Sequence, residues 1–291
     1  MIEDSVLVSI VTPSFNQGKF IEDTILSVKN QDYPNIEHIV IDGGSTDKTI
    51  EILKNYEKRY DLEWISEADN GQSDAVNKGF RLAKGQIIGW LNSDDAYLYV
   101  DTVSYVVGEF RNNPNIDVMY GDHVSIDEDS LILKVRHVVP KFDYERLLRT
   151  DFICQPSVFL RRNVVQKHKL DVNLDLPMDY EYWLRIARQN IRFKHVKRIL
   201  SANRIHKSMK TRNRRSAMEM ETKKVQERYG QKFGYRYHLS RPFDDVLFLL
   251  LKAYGVKTMT DLYANRIKRR LSFPGKVDSL LKATLRQLFF V

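Results

Sequence analysis

Two adjacent carboxylates, Asp94 and Asp95, close the run Trp90-Leu91-Asn92-Ser93-Asp94-Asp95, directly behind the apolar stretch Ile87-Ile88-Gly89. The pattern reads as a buried strand that ends abruptly in acid. Neighbouring carboxylates repel each other unless a positive group sits between them and a partner. A divalent cation carrying a diphosphate meets that need, because hard cations take oxygen ligands and Mg²⁺-type ions combine few carboxylates with substrate phosphates. The same residues also suit an Asp-rich turn that caps the next helix. Taken alone, they leave both readings open.

Such acids need elements to bring them to one place. Residues 6–11 form an apolar run that leads into Thr12-Pro13-Ser14-Phe15-Asn16. Residues 36–41 lead into Asp42-Gly43-Gly44-Ser45-Thr46-Asp47, and residues 62–65 are followed by Glu67-Ala68-Asp69-Asn70-Gly71-Gln72. Between them, apolar residues recur at helical spacing: Ile21, Ile25 and Val28, then Ile50, Leu53 and Tyr56, then Ala75-Val76, Phe80 and Ala83. This β-α-β-α alternation predicts an α/β fold with a mostly parallel sheet covered on both faces. Ligands bind beyond the carboxyl ends of the strands in such sheets, so Asp42, Asp69 and Asp94 gather at one edge. Asn70-Gly71 asks for a turn with positive φ. The apolar runs around Asp127-Glu128-Asp129-Ser130 predict a hairpin within residues 117–139, with strands flanking the main sheet. A helix is expected over residues 214–229.

The four segments Val8-Ser9-Ile10-Val11-Thr12-Pro13-Ser14-Phe15-Asn16, Ile39-Val40-Ile41-Asp42-Gly43-Gly44-Ser45-Thr46-Asp47, Asp69-Asn70-Gly71-Gln72-Ser73-Asp74-Ala75-Val76-Asn77-Lys78-Gly79 and Gly89-Trp90-Leu91-Asn92-Ser93-Asp94-Asp95 resemble, in order and spacing, the four motifs of family 2 glycosyltransferases. These are inverting enzymes of the GT-A fold, and the resemblance covers about residues 5–210, closest to bacterial enzymes of O-antigen, capsule or exopolysaccharide assembly. It implies a Rossmann-like sheet with flanking helices and a nucleoside-diphosphate sugar donor. Thr12, Pro13 and Ser14 would lie beneath the base and ribose. Asp42 would accept from the base imide N–H, with an Asx turn or helix cap as its structural alternative. A carboxylate suits uracil, so UDP-sugars are favoured, and guanine keeps GDP-sugars as the alternative. Asp69 and Gln72 would complete the pocket. Asn92-Ser93-Asp94 stands where the family has Asp-x-Asp, which implies Asp94 as ligand of Mn²⁺ or Mg²⁺, with Asn92 and Ser93 toward the donor. Asp95 suits an outer contact or a cap. Asp179-Tyr180-Glu181-Tyr182-Trp183-Leu184-Arg185 resembles the family's base-bearing helix, with Asp179 as general base, Met178 in place of the preceding Glu, and Glu181 as runner-up. Arg204-Ile205-His206 resembles a downstream Arg-x-His element, which implies His206 as a second metal ligand. The basic stretch from Lys207 to Arg212 would form a lid, and Gln155-Pro156-Ser157 an acceptor-side turn. The acceptor would be a hydroxyl of a glycan or lipid-linked sugar.

Composition bounds the rest. In 291 residues the chain accommodates one large α/β core and an appendage. One cysteine, Cys154, excludes an internal disulfide framework and suits a reducing compartment. Met1-Ile2-Glu3-Asp4 runs into a strand without a signal-peptide pattern, and no apolar run approaches the ~20 residues of a membrane span. A cytoplasmic protein is expected. The net charge of +8 is unevenly spread: residues 1–181 hold 19 Lys and Arg against 31 Asp and Glu, and residues 182–291 hold 27 against 7. The expected division is a catalytic domain over 1–212, with a nucleotide-sugar half (1–100) and an acceptor half (101–212), followed by a basic helical region over 213–291. Basic amphipathic patterns at 257–271 and 276–291 fit the anionic cytoplasmic face of an inner membrane; packing on the catalytic domain or a homodimer interface fits them too. Nucleic acid is not expected, for no binding motif accompanies the charge. A dinucleotide-binding enzyme is excluded by the absence of Gly-x-Gly-x-x-Gly after the first strand. A catalytically weak nucleotide-sugar-binding protein and a nucleotidyltransferase stay as rivals.

Overall fold

The computed structural model describes residues 6–138 and 141–230. Strand β1 (Val8–Ser14) is buried at every position, as a strand covered on both faces must be. It pairs in parallel with β2 (Ile36–Asp42) on one side and β4 (Ile87–Trp90) on the other, and β2 carries β3 (Leu62–Ser66) in parallel at the edge. β1 runs three residues past the expected end. Pro13 lies within it opposite Ile41, yet no ladder bond is lost toward β4, because that pairing stops at Val11 opposite Trp90.

The connecting helices α1 (Ile21–Lys29), α2 (Thr49–Tyr56) and α3 (Gln72–Leu82) fall where helical spacing predicts them and bury those same apolar positions. Strand alternation then sorts the core. Val11 meets Ala75, Val76 and Phe80 of α3, whereas Val8 and Ile10 meet the opposite layer, formed by Val103, Val106 and Phe110 of α4 (Thr102–Asn112). Helix α3 approaches β1 so closely that a Cβ on Gly79 would fall 2.2 Å from Val11 Cγ1.

The second half of the sheet is mixed. β6 (Val118–Ile126) and β7 (Ile132–Arg136) form the expected hairpin, but β6 does not flank the sheet. It enters the sheet between β8 (Val158–Arg161), antiparallel, and β9 (Phe193–Arg204), parallel, and only β7 stands outside. Eight of its nine residues are buried, which an edge position would not permit. The short β5 (Ala96–Tyr97) closes the far edge against β9, giving the order β3-β2-β1-β4-β8-β6-β9-β5. Helices α5 (Tyr144–Arg149), α6 (Arg162–Lys167) and α7 (Met178–Ala187) cover this half. After the four-residue α8 (Lys210–Asn213), α9 (Arg215–Arg228) lies beyond the expected boundary at 212, yet its Val225 joins the same core as α7. No helix among the described residues is long and apolar enough to cross a membrane. The basic patterns at 257–271 and 276–291 lie outside the described residues.

Candidate active site

Beyond the carboxyl ends of β1, β2, β3 and β4 opens a cleft of about 510 Å³. Its walls include Pro13, Ser14, Asp69, Gln72, Asn92, Ser93, Asp94 and His206. Eight of the ten residues expected to hold donor and metal therefore share one cavity. Thr12 and Asp42 lie behind it.

Thr12 is fully buried, and its Oγ1 lies 2.9 Å from His38 Nε2; Tyr60 OH approaches the other ring nitrogen at 2.7 Å. Burial pushes His38 down to about 3, so the ring is neutral and relays between the two hydroxyls. Asp42 is also fully buried and its carboxylate is saturated: it accepts from Gly44 N at 3.1 Å, Ser45 N at 2.8 Å, Ser45 Oγ at 2.5 Å and Ser66 Oγ at 2.7 Å. It shapes the turn and offers the cleft no free oxygen. The carboxylate that lines the cleft here is Asp69, half-buried in its wall, with Gly71 N as its one hydrogen-bond donor among the described residues, at 2.9 Å. Gly43 makes room for it, since a Cβ there would stand 2.7 Å from Asp69 Oδ2. Gly71 has φ +100°, the positive-φ turn expected of Asn70-Gly71.

The loop after β1 is stitched to the loop after β2. Asn16 N donates to Ser45 Oγ, Thr46 N donates to Asn16 Oδ1, and Gly18 N donates to Asp47 Oδ2. Asn16 takes φ +52°, a conformation its short polar side chain tolerates. These ties hold Phe15 at the cleft, 59% exposed. A large ring left in water at the rim of a cleft presents a flat apolar face of the kind on which bases stack. Its sequence signal was an aromatic residue directly after a strand end. Beneath it, Ser14 Oγ is buried without a hydrogen-bond partner among the described residues.

Asn92 accepts through Oδ1 from Trp90 Nε1 (3.0 Å) and Gln72 Nε2 (2.9 Å). An indole N–H only donates, so the atom facing it is the oxygen, and the amide NH₂ is the end left to donate. Asp94 Oδ2 lies 2.9 Å from His206 Nε2; the His side chain is 2% exposed and the Asp side chain 21%. Asp95 turns inward: its Oδ1 accepts from Arg204 N and Asn203 Nδ2, which fastens the end of β9 to the Asp94 loop. Burial, and then the charge of Asp94, push its carboxyl well above the ordinary range.

Arg204 underlies this arrangement. It is fully buried, donates to the Asp94 carbonyl (2.9 Å), the Asp127 carbonyl (3.1 Å) and Ser130 Oγ (2.9 Å), and pairs with Asp23 at 2.7 Å. No group of three or more His, Cys, Asp or Glu among the described residues is placed to hold a metal. Asp94 and His206 nevertheless fit a Mn²⁺- or Mg²⁺-type ion that draws its other ligands from phosphates and water. Their 2.9 Å separation matches the ~3 Å between adjacent ligands at ~2.1 Å bonds.

Asp179 stands in the first turn of α7, outside the cleft lining. Its Oδ1 accepts from Tyr180 N at 2.8 Å. Burial raises its carboxyl above the ordinary range, against the backbone N–H groups that lower it. Asp151, not expected from sequence, is its electrostatic neighbour: protein surrounds it at a surface water still reaches, and burial and then the Asp179 charge raise it well above the ordinary range. Cys154 beside them is raised by burial and by Asp95, Asp151 and Asp179. Glu181, the alternative base, is not available: it is 2% exposed, pairs with Arg185 at 3.0 Å and accepts from Tyr229 OH at 2.5 Å. Gln155-Pro156-Ser157 forms a 3₁₀ turn, and Gln155 Nε2 donates to the Trp90 carbonyl.

Known proteins share this architecture. The chain is 28% identical over 201 residues to a chondroitin synthase from Escherichia coli, covering 69% of this chain but 29% of that protein. The chain thus spans less than a third of that relative. It is 32% identical over 183 residues to an uncharacterized glycosyltransferase from Mycobacterium tuberculosis, covering 62% and 68%. Among solved structures, S. aureus TarS 1–349 in complex with UDP-GlcNAc matches with a TM-score of 0.59 at 17% identity, over 70% of this chain and 60% of that one. The mannosyltransferase PcManGT from Pyrobaculum calidifontis in complex with GDP-Man and Mn²⁺ matches with a TM-score of 0.61 at 17% identity, over 99% and 88%. Those two likenesses speak to the GT-A fold alone. Residues 9–168 match the family described as glycosyl transferase family 2, and the chain belongs to that family of glycosyltransferases.

Proposed function

We propose that this protein moves a sugar from a nucleoside-diphosphate sugar, with UDP-sugars favoured, to a hydroxyl of a glycan or lipid-linked acceptor in cell-surface polysaccharide assembly, with inversion. The observation that carries the reading is the shared cleft, which gathers an exposed aromatic, the Asp69 carboxylate and the Asp94–His206 pair around one cavity. Phe15 stacks on the base. Asp69 accepts its imide N–H. The Asn92 amide donates to ribose or phosphate oxygen. Asp94 and His206 hold Mn²⁺ or Mg²⁺, which when bound supplies Lewis-acid stabilisation of the departing diphosphate. Asp179 takes the proton from the attacking hydroxyl. Its raised carboxyl suits that role, because a base works best with a pKa near the working pH. The hydroxyl attacks opposite the leaving group, so no covalent intermediate is needed. We place residues 213–291 on an anionic inner-membrane surface. Full-length protein sedimenting with phosphatidylglycerol vesicles no better than a chain ending at 241 would sink that part.

Thermal unfolding with UDP, GDP, CDP and dTDP, each with and without Mn²⁺, tests the donor site. Selective stabilisation by UDP with Mn²⁺ is expected. Selective stabilisation by GDP would move the donor to a GDP-sugar, and no response to any nucleotide would overturn the reading.

A further inference from the structure

Among the described residues that line the donor cleft, Lys210 is the one with a permanent positive charge; Asp69 and Asp94 supply negative charge. Lys210 is thus the side-chain cation that a diphosphate entering this cleft would meet beside the proposed metal. That ammonium is already engaged: Lys210 Nζ lies 2.9 Å from Asp175 Oδ1, and Arg214 pairs with the other oxygen of the same carboxylate. All three side chains are 43–51% exposed, so the contact can open without moving the core. The pairing with Lys210 holds the Asp175 carboxyl below the ordinary range, so the partner is an anion throughout the neutral pH range.

The position of Asp175 gives this competition a second consequence. It lies in the loop that leads into α7, four residues before Asp179. The same loop is tied to the cleft wall: Asn77 of α3 bonds both Leu170 N (2.9 Å) and the Leu170 carbonyl (3.0 Å), and Ser73 Oγ donates to the Leu174 carbonyl. It is also tied to α9 through Leu176 N and Glu221. Resting on the donor reading above, we propose that Asp175 is a latch that competes with the donor diphosphate for Lys210, so that filling the donor cleft leaves Asp175 to Arg214 and loosens the loop that leads into the helix of the proposed base. Donor binding is thereby reported to the acceptor side by exchange of one ion-pair partner.

The test is a thermodynamic cycle on the full-length protein. UDP, with GDP in parallel, is titrated at fixed Mn²⁺ into wild type, Asp175→Asn, Lys210→Met and the double variant, with uridine as a probe lacking phosphate. Half-exposed ion pairs contribute modestly, so Asp175→Asn is expected to tighten the diphosphate about two- to fivefold and leave uridine unchanged. Lys210→Met weakens the diphosphate, and adding Asp175→Asn to it restores nothing. Hydrogen exchange across residues 171–180 should quicken on diphosphate binding in wild type and not in Lys210→Met. An unchanged affinity in Asp175→Asn, or an equal gain in the Lys210→Met background, would overturn the latch while leaving the donor site standing. Wild type binding neither nucleotide would remove the donor reading and the latch together.

Discussion

Asp94 lines the cleft and Asp179 stands outside its lining, so the two carboxylates call for separable tests. Asp94 faces His206 at 2.9 Å; on the proposed role as metal ligand, Asp94→Ala should weaken Mn²⁺-dependent UDP binding and turnover together. Asp179 stands in the first turn of α7; on the proposed role as base, Asp179→Ala should lower kcat by about 10²–10⁴-fold while calorimetry shows the nucleotide binding as before. Because burial and then the Asp179 charge raise Asp151, Asp179→Asn should lower the pH at which the Asp151 carboxyl ionises in an NMR titration, as removal of a like charge eases ionisation. An Asp151 titration that stays in place would break the link between the two. At this scale the sequence was legible for residue type and only partly for role. Asp42 shows why: Ser45 lies three residues away and announces a turn, but Ser66, whose hydroxyl completes the saturation of that carboxylate, arrives from another strand. Whether a carboxylate is a ligand or a local tie depends on partners that spacing does not display.

Elements position these groups through one long strand. β9 delivers Arg204 beneath the Asp94 loop and His206 just past its end, while its other residues pair with β6 and β5. The guanidinium fastens α1 through Asp23, the β6–β7 turn through the Asp127 carbonyl and Ser130, and the loop after β4 through the Asp94 carbonyl. Arg204→Met keeps the bulk but strips these bonds and leaves the Asp23 carboxylate without its buried cation. A loss of about 3 kcal/mol or more in urea unfolding is expected, together with weaker Mn²⁺-dependent UDP binding; a variant as stable as wild type would contradict the account. The helices of the first half were readable because each carries its own apolar period. β6 was expected to flank the sheet and lies inside it, because its pairing with β8 and β9 depends on segments 42 and 75 residues downstream in the register, Val118 with Leu160 and Phe193.

The whole molecule has a built-in acid sensitivity. His38 is fully buried and held down to about 3, against about 6.5 in an unfolded chain. The unfolded state therefore gains a proton first as pH falls. The stabilisation is complete above about 6.5 and is lost progressively toward 3, by up to ~1.4 kcal/mol per pH unit. His123, held down to about 4, acts in the same direction. Denaturant midpoints should thus fall more steeply between pH 6.5 and 4 for wild type than for His38→Gln, which keeps hydrogen-bonding capacity without the charge; parallel curves would refute it.

At the middle of the sheet, only three residue pairs join β4 to β8: Ile87 with Arg161, Ile88 with Leu160 and Gly89 with Phe159. Gly89 has no room for a side chain, as a Cβ would stand 2.4 Å from Tyr97 OH and 3.0 Å from Phe159. The seam joins the half of the sheet whose strands β1 to β4 open onto the cleft to the half built from β6, β8 and β9, so a side chain at Gly89 would act as a wedge driven between them.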